Sequence, residues 1–273
     1  METTTSADGT TLAFDRLGDG PSVILIPGAT CTRGVTTPLA ELLAASCTVL
    51  NVDRRGRGDS DDRSGSPYAA ERETEDLAAL IQAAGGHAAL YGHSSGAAVV
   101  LRAAAAGLPV DRLVLHDAPY SLESTDESRA YWAEINRYLD DRQPGEAVAA
   151  FLRQVGMPDQ MITGMRSGPQ WPAMEAVGYT LAYDSAAMDD INGGAVPRDL
   201  LGAVRVPTMV LVGSDSFPFM IESGQALQAG IDGARFDLLE GGDHAAGAEL
   251  VAPALLPFLT GSPSSGTPVP AGT

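Results

Sequence analysis

The sequence predicts an α/β fold in which a doubly wound, mostly parallel sheet carries a helical insertion. Three observations lead to this prediction: short apolar runs alternate with helical patterns, the buried runs stop at segments containing Gly or Asp, and one long segment interrupts the alternation. Strands that alternate with helices form parallel sheets through right-handed crossovers. Because such sheets bind ligands beyond the carboxyl ends of their strands, we expect the functional residues directly after strands.

Continuous apolar runs rich in β-branched residues are typical of strands that are buried on both faces of a parallel sheet. After an edge strand at 11–15, the predicted strands are 23–26, 47–52, 88–91, 112–116, 206–212 and 234–239. Helices are predicted at 38–45, 68–84, 97–101 and about 248–259. This pattern divides the chain into a core of 1–118 and 205–260, a helical cap of 119–204 and a disordered Ser-, Pro- and Gly-rich tail of 261–273.

The sequence of residues 92–96, Gly-His-Ser-Ser-Gly, lies between a predicted strand and a helix of small residues. Gly-x-Ser-x-Gly at such a junction is typical of a sharp turn that holds a nucleophilic serine in a strained conformation. Glycine at both flanking positions avoids collisions with the neighbouring strand and helix. We therefore predict Ser94 as the nucleophile. The alternative is an ordinary strand–helix turn that requires two glycines.

A serine hydroxyl needs a base within hydrogen-bond reach, and the base needs an acid that orients it. Of the four histidines, His244 follows the last predicted strand on a Gly-Gly-Asp-His loop, and we predict it as the base. His93 lies inside the turn, and its side chain is expected to point away from the attack direction. His87 begins a strand and His116 lies within one, so both are interpreted as structural.

Three carboxylates compete for the role of the acid. Asp215 follows a buried strand and has the chain order Ser…Asp…His of hydrolases with this type of turn, so it is the preferred prediction. Asp117 follows the preceding strand and is the alternative. Asp243 is disfavoured because adjacent residues rarely orient each other's side chains as Asp243 and His244 would have to.

Two backbone N–H groups are predicted to hold the oxyanion. The Ser95 N–H lies at the N-terminus of a helix, and the Ala29 N–H lies in the loop after the strand at 23–26. The loop at 53–60, Asp-Arg-Arg-Gly-Arg-Gly-Asp-Ser, carries no group that this mechanism requires and is interpreted as a structural turn near the cap. Flexible and aromatic side chains of the cap suit an apolar ligand. The candidate substrate-lining residues are Thr30, Trp132, Trp171 and Tyr179.

The composition excludes several classes of partner. A net charge of −18 argues against nucleic acid and anionic membranes, which attract clustered Lys and Arg. No apolar run approaches the roughly 18 residues of a membrane span, and the polar N-terminus is unlike a signal peptide. Cys31 and Cys47 have no metal-ligand or redox spacing. We expect a cytoplasmic enzyme that acts on a small molecule and uses no metal or cofactor. The oligomeric state stays open.

From about residue 6 to residue 259, the chain resembles the capped α/β-hydrolases, which include esterases, C–C bond hydrolases, cofactor-free haloperoxidases and epoxide hydrolases. By this resemblance Ser94, Asp215 and His244 are nucleophile, acid and base. One departure is Pro27-Gly28, where the family usually has His-Gly. Serine at position 94 also excludes the dehalogenase and epoxide hydrolase branches, which use aspartate there. The resemblance rests on residues 27–29, 53–60, 92–96, 213–215 and 242–244.

The leading hypothesis is a serine hydrolase that cleaves an ester, thioester or lactone of a largely apolar small molecule, as a carboxylic ester hydrolase does. The second is a lyase, cyclase or C–C bond reaction in which Ser94 and His244 transfer protons without an acyl-enzyme. The third is a catalytically silent binding protein. Fold alone does not separate these hypotheses.

Overall fold

The structure, a computed structural model, describes residues 1–63 and 68–261, and its centre is an eight-stranded sheet. The tail predicted for 261–273 lies outside the described residues except for Gly261. In spatial order the strands are β1-β2-β4-β3-β5-β6-β7-β8. They span Glu2–Thr5 (β1), Thr11–Leu17 (β2), Ser22–Ile26 (β3), Thr48–Val52 (β4), Ala88–His93 (β5), Val110–His116 (β6), Thr208–Gly213 (β7) and Arg235–Leu239 (β8).

The sheet is parallel from β4 to β8, and the two strands at the other edge are antiparallel. This arrangement confirms the predicted doubly wound, mostly parallel α/β fold. It brings the carboxyl ends of β3, β5, β6, β7 and β8 to one edge of the sheet. Every residue predicted to act in catalysis follows one of these strand ends, so the fold gathers them along this edge.

Helices cover both faces of the sheet. The buried residues of α2 (Glu71–Ala83), α3 (Ser95–Ala105) and α10 (Pro218–Gly230) pack on one face, and those of α1 (Arg33–Leu43) and α11 (Ala248–Thr260) pack on the other. Six α-helices and two short 3-10 helices lie between β6 and β7, where the helical insertion is predicted. The α-helices are α4 (Asp126–Asp140), α5 (Pro144–Gln154), α6 (Asp159–Arg166), α7 (Trp171–Val177), α8 (Leu181–Ala187) and α9 (Arg198–Leu201).

The helices α4 to α7 have an apolar cluster of their own, which includes Ile135, Val148, Ile162 and Trp171. Because these helices share this cluster, they pack on one another on one side. On another side they lie over the strand ends. We use "cap" for the predicted segment 119–204. Among the described residues, no helix combines the length and the apolar composition that crossing a membrane requires.

Two elements of the core are not predicted from the sequence. The strand β1 is threonine-rich and largely exposed, so it lacks the apolar alternation that indicates a strand. It forms because it pairs with β2 in an antiparallel register. The helix α10 begins at Pro218, and its apolar residues are spread around its circumference, which hides the helical period. The helix α1 begins earlier than predicted, at Arg33, whose N–H donates to the Asp53 carboxylate at 2.7 Å.

Candidate active site

The predicted sharp turn between β5 and α3 is present, and Ser94 lies at its apex. Ser94 has a φ of 54° and a ψ of −128°, a conformation that costs a residue with a side chain about 1–3 kcal/mol. A Cβ atom at Gly92 would collide with the backbone of α3, and one at Gly96 would collide with carbonyl groups at the end of β3. The two glycines therefore allow the close packing of strand and helix that raises Ser94 above the sheet edge.

His244 and Asp117 form a hydrogen-bonded pair at this edge, with 3.1 Å between His244 Nδ1 and Asp117 Oδ2. The Asp117 side chain is fully buried. Burial raises the pKa of Asp117, but the His244 hydrogen bond, the charge of His116 and donors from Gly213 and Ser216 outweigh it, so the net pKa is lowered. An ionised carboxylate accepts a hydrogen bond from the Nδ1–H group, which leaves Nε2 of a neutral imidazole free to act as an acceptor.

The structure corrects the preferred acid. Asp215 is exposed. Its N–H donates to the Gly242 carbonyl at 2.8 Å and its carboxylate accepts from Ser214 Oγ at 3.1 Å. The carboxylate that contacts His244 belongs to Asp117, the alternative from the sequence. The physical reason is the set of donors around Asp117, because the Gly213 N–H and the Ser216 hydroxyl hold its carboxylate where His244 Nδ1 reaches it. The backbone at Asp117 has a positive φ of 47°.

The two predicted oxyanion donors lie on neighbouring strand ends. Ser95 is the first residue of α3, so its N–H has no acceptor within the helix. Ala29 follows Gly28, and a Cβ atom at Gly28 would lie only 2.9 Å from Ser94 Cβ. The loop after β3 therefore passes directly beside the Ser94 side chain. Both Ala29 and Ser95 line the same cavity as Ser94 and His244.

His93 has a role that the sequence did not indicate. Its Nε2 lies 2.9 Å from the His244 carbonyl oxygen, and a carbonyl can only accept, so Nε2 carries the proton. Burial, then the nearby His116 and His244, lower the pKa of His93 to about 3, so the ring is neutral at pH 7. The rings of His93 and His244 lie 4.8 Å apart. His93 thus holds the backbone of the predicted base.

Among the described residues, the side chains whose atoms could together hold a metal ion are His93, Asp117 and His244. Their ligand atoms all lie within 4.8 Å of one another. Two of these groups already use a ring nitrogen in the hydrogen bonds described above, from His93 to the His244 carbonyl and from His244 to Asp117. Hydrogen bonding among these groups therefore accounts for their proximity.

A cavity of about 600 Å³ opens between the strand ends and the cap, and it contains Ser94 and His244. Most of its lining is apolar. Apolar and aromatic side chains come from the cap and from the first turn of α10. These side chains are Leu122, Tyr131, Trp132, Phe151, Val155, Leu181, Met188, Phe217, Phe219 and Met220.

Of the four predicted lining residues, only Trp132 lines this cavity. Trp171 is buried in the apolar cluster of the cap. Tyr179 is exposed, and its hydroxyl donates to the Gly56 carbonyl of the loop 53–60 at 2.9 Å. The Thr30 hydroxyl turns back and donates to the Ala29 carbonyl at 2.7 Å. The sequence identified the segment but not the faces of its helices, because packing within the cap decides which side chains meet the cavity.

The fold, and the serine, histidine and aspartate gathered at the carboxyl ends of its parallel strands, prompt a comparison with hydrolases. A family model described as the alpha/beta hydrolase family matches residues 23–254. The chain therefore belongs to the α/β-hydrolase family.

Two curated relatives narrow the class. The chain is 40% identical over 214 residues to the 2-(acetamidomethylene)succinate hydrolase of Mesorhizobium japonicum, a match that covers 76% of this chain and 75% of that protein. It is 36% identical over 204 residues to the N-formylmaleamate deformylase of Pseudomonas putida, covering 71% of each. The crystal structure of an α/β hydrolase from Sphaerobacter thermophilus has a TM-score of 0.82 at 42% identity and covers 94% of this chain and 99% of that one. The chain is thus a hydrolase, which supports the enzyme hypotheses over a silent binding protein.

Proposed function

We propose that this hydrolase cleaves an acyl compound, in the first instance a carboxylic ester, thioester or lactone, with a triad of Ser94, His244 and Asp117. The observation that carries the proposal is the buried Asp117 carboxylate hydrogen-bonded to His244 Nδ1, at the edge of the cavity that Ser94 also lines. A site that combines a strained serine and an oriented imidazole at the cavity with a buried anion behind the imidazole has the parts of nucleophilic acyl transfer.

The proposed reaction has two halves. Ser94 Oγ attacks the acyl carbon while His244 Nε2 takes its proton, and the N–H groups of Ala29 and Ser95 stabilise the oxyanion. The protonated His244 then gives the proton to the departing alkoxide, thiolate or ring oxygen, which leaves an acyl-enzyme. Water attacks this intermediate with His244 again as base, and the carboxylic acid departs as the protonated His244 returns the proton to Ser94 Oγ. Asp117 keeps Nδ1 protonated and stabilises the imidazolium in both halves.

We further propose that the acyl group is uncharged and largely apolar. Among the described residues that line the cavity, the acidic side chains are Glu123, Asp184 and Glu222, and none is Arg or Lys. Because Asp184 is neutralised by Arg54 and Arg57, the charges of Glu123 and Glu222 remain. Such a lining gives an anionic substrate no partner of opposite charge, and these two carboxylates repel it. A volume of about 600 Å³ accommodates a small molecule of moderate size.

A second candidate reaction is hydrolysis of an N-acyl bond. The names of both curated relatives describe molecules with an acetamido or N-formyl group. The triad chemistry is the same, except that His244 must protonate a nitrogen before it leaves. Parallel assays of p-nitrophenyl acetate and p-nitroacetanilide separate the two reactions, because they differ only in the leaving atom. Exclusive turnover of the anilide would assign the amide reaction.

The triad is tested by labelling with a fluorophosphonate and by turnover of short p-nitrophenyl esters. Ser94→Ala and His244→Ala should each lower kcat by about 10⁴-fold or more with the fold intact. Ser22→Ala is the matched control, since Ser22 begins β3 at the opposite edge of the sheet. Labelling without ester turnover would favour the proton-transfer hypothesis, and full activity of Ser94→Ala would refute the triad.

The charge of the substrate is tested with p-nitrophenyl butyrate and p-nitrophenyl hemisuccinate, which differ mainly by a terminal carboxylate. We expect kcat/KM for the butyrate to be about tenfold higher than for the hemisuccinate. This ratio should decrease with added salt, because salt screens the repulsion between exposed charges. The double variant Glu123→Gln, Glu222→Gln should reduce the difference in kcat/KM between the two esters. Equal kcat/KM values for the two esters at low salt would contradict an uncharged acyl group.

We also propose that the protein works in a reducing compartment such as the cytoplasm. Cys31 and Cys47 are both free, and Cys47 is buried. Protein purified without reductant should therefore give two reactive thiols per chain after unfolding. If protein taken directly from its host gave no reactive thiol per chain after unfolding, this proposal would be contradicted.

A further inference from the structure

The loop 53–60 brings two fully buried arginines behind the predicted oxyanion donors. Arg54 and Arg57 are both almost completely shielded from solvent. The Arg54 guanidinium pairs with Glu73 through Nε and Nη2, at 2.6 and 2.9 Å, and with Asp184 through Nη1 at 2.7 Å. Arg57 pairs with the other oxygen of Asp184 at 2.8 Å. Two cations and two anions thus form a neutral buried cluster.

Arg57 also donates from Nη1 to the Gly28 carbonyl oxygen at 2.7 Å. The Gly28 carbonyl and the Ala29 N–H belong to one peptide unit, and in a planar trans peptide they point in opposite directions. A donor that fixes the carbonyl therefore fixes the direction of the N–H as well. A cationic donor also polarises the peptide and makes its N–H a stronger donor.

The second oxyanion donor is tied to the same cluster. Ser95 Oγ donates to Asp184 Oδ1 at 2.7 Å, and Arg54 Nη1 lies 3.3 Å from the same hydroxyl. Asp184 belongs to α8 of the cap and is buried. Burial raises its pKa, but Arg57 and Arg54, followed by the hydrogen bonds, outweigh burial and hold the pKa below its ordinary value. The carboxylate therefore stays ionised and keeps both arginines in place.

We infer that Arg57 and Asp184 are positioning residues of the oxyanion hole, and that the cap takes part in this positioning through Asp184. The inference rests on the proposed function, because it concerns the donors Ala29 and Ser95. It gives the loop 53–60 a role beyond a structural turn. It also means that the region of α8 is a fixed support of the active site, since its movement would expose four buried charges.

Arg55 provides a matched control within the same loop. It is fully buried and pairs with Asp76 at 2.7 and 2.5 Å and with Asp8 at 2.9 Å. Its partners lie in α2 and in the N-terminal segment. Loss of Arg57 and loss of Arg55 therefore each remove a buried ion-paired guanidinium, but only Arg57 bonds to the peptide of an oxyanion donor.

The experiment compares Arg57→Met, Arg57→Lys, Asp184→Asn and Arg55→Met at a temperature where thermal unfolding shows each variant to be folded. Arg57→Met should lower kcat for a p-nitrophenyl ester by about 10- to 100-fold with KM within about threefold, because oxyanion contacts act in the transition state. Arg57→Lys should recover part of the loss. Asp184→Asn should also lower kcat for the ester. Arg55→Met should lower thermal stability while kcat stays within about threefold.

A second readout separates positioning from general damage. A boronic acid forms a tetrahedral adduct with the serine, so its affinity should decrease in parallel with kcat in Arg57→Met, whereas the affinity for the product carboxylate should stay unchanged. Equal kcat losses in Arg57→Met and Arg55→Met, or a loss confined to KM, would overturn the inference. If Arg57→Met does not fold, Arg57→Lys and Asp184→Asn decide by the same criteria. A wild-type enzyme that neither reacts with fluorophosphonate nor hydrolyses esters contradicts the proposed function first, and the inference with it.

Discussion

The loops after β6 and β7 each carry an aspartate but differ in what they give to the site. Each follows a buried parallel strand and carries an aspartate, Asp117 directly after β6 and Asp215 shortly after β7. Asp117 is fully buried beneath His244, whereas Asp215 is exposed and bonds to its own neighbour Ser214. Position after a strand therefore does not decide which carboxylate meets the imidazole.

The end of β7 and the loop after it donate hydrogen bonds to the carboxylate that follows β6. The Gly213 N–H donates to Asp117 Oδ1 at 3.0 Å, and Ser216 Oγ donates to Asp117 Oδ2 at 2.8 Å. Because a buried anion is costly without donors, these two hydrogen bonds help to keep Asp117 ionised. The comparison shows that one loop holds the charge and the other holds its hydrogen-bond donors.

The largest expected effect tests which aspartate orients the base. Asp117→Asn should lower kcat by about 10³- to 10⁴-fold, because an amide cannot hold His244 in the required tautomer. Asp215→Asn should change kcat by less than about threefold. Stopped-flow or steady-state turnover of a p-nitrophenyl ester measures both. The reverse ranking would restore the acid that the chain order predicts, and it would require the loop after β7 to rearrange.

The sequence predicted the sheet well because buried parallel strands are continuous apolar runs whose signal is local. Ser94 and His244, which line the same cavity, could be selected as candidates from the sequence, since a Gly-x-Ser-x-Gly turn and a histidine after the last strand are local features. The choice between Asp117 and Asp215 could not be made in this way, because it depends on hydrogen-bond donors that a neighbouring segment supplies. The faces of Trp171 and Tyr179, and the links from Arg57 to Gly28 and Asp184, depend on packing between distant segments.

A smaller effect tests the supporting donor. Ser216→Ala removes a hydrogen bond to the Asp117 oxygen that His244 also contacts. We expect kcat/KM to decrease by about three- to tenfold, since the carboxylate keeps its charge but loses part of its orientation. Ser214→Ala is the matched control in the same loop, because the Ser214 hydroxyl bonds to Asp215. Equal losses in the two variants would show that the loop acts as a whole and not through this donor.

The smallest effect concerns the pH dependence of stability. The pKa of Asp117 is lowered in the folded protein, so its charged form stabilises the fold above its unfolded pKa. This contribution is lost as the pH decreases through the folded pKa. Asp117→Asn should therefore lower the free energy of unfolding by about 1–3 kcal/mol at pH 7, and the gap to wild type should narrow below about pH 4.

Urea unfolding at several pH values measures this gap, and the difference between variant and wild type cancels the other carboxylates, which titrate in both proteins. Asp215→Asn supplies the comparison, since an exposed carboxylate bonded to one hydroxyl should give a difference within about 0.5 kcal/mol at every pH. A gap for Asp117→Asn that stays constant down to the acid transition would mean that shape, not charge, gives Asp117 its place beneath His244. In that case the two loops would differ in packing alone, and the donors from Gly213 and Ser216 would not serve to stabilise an anion.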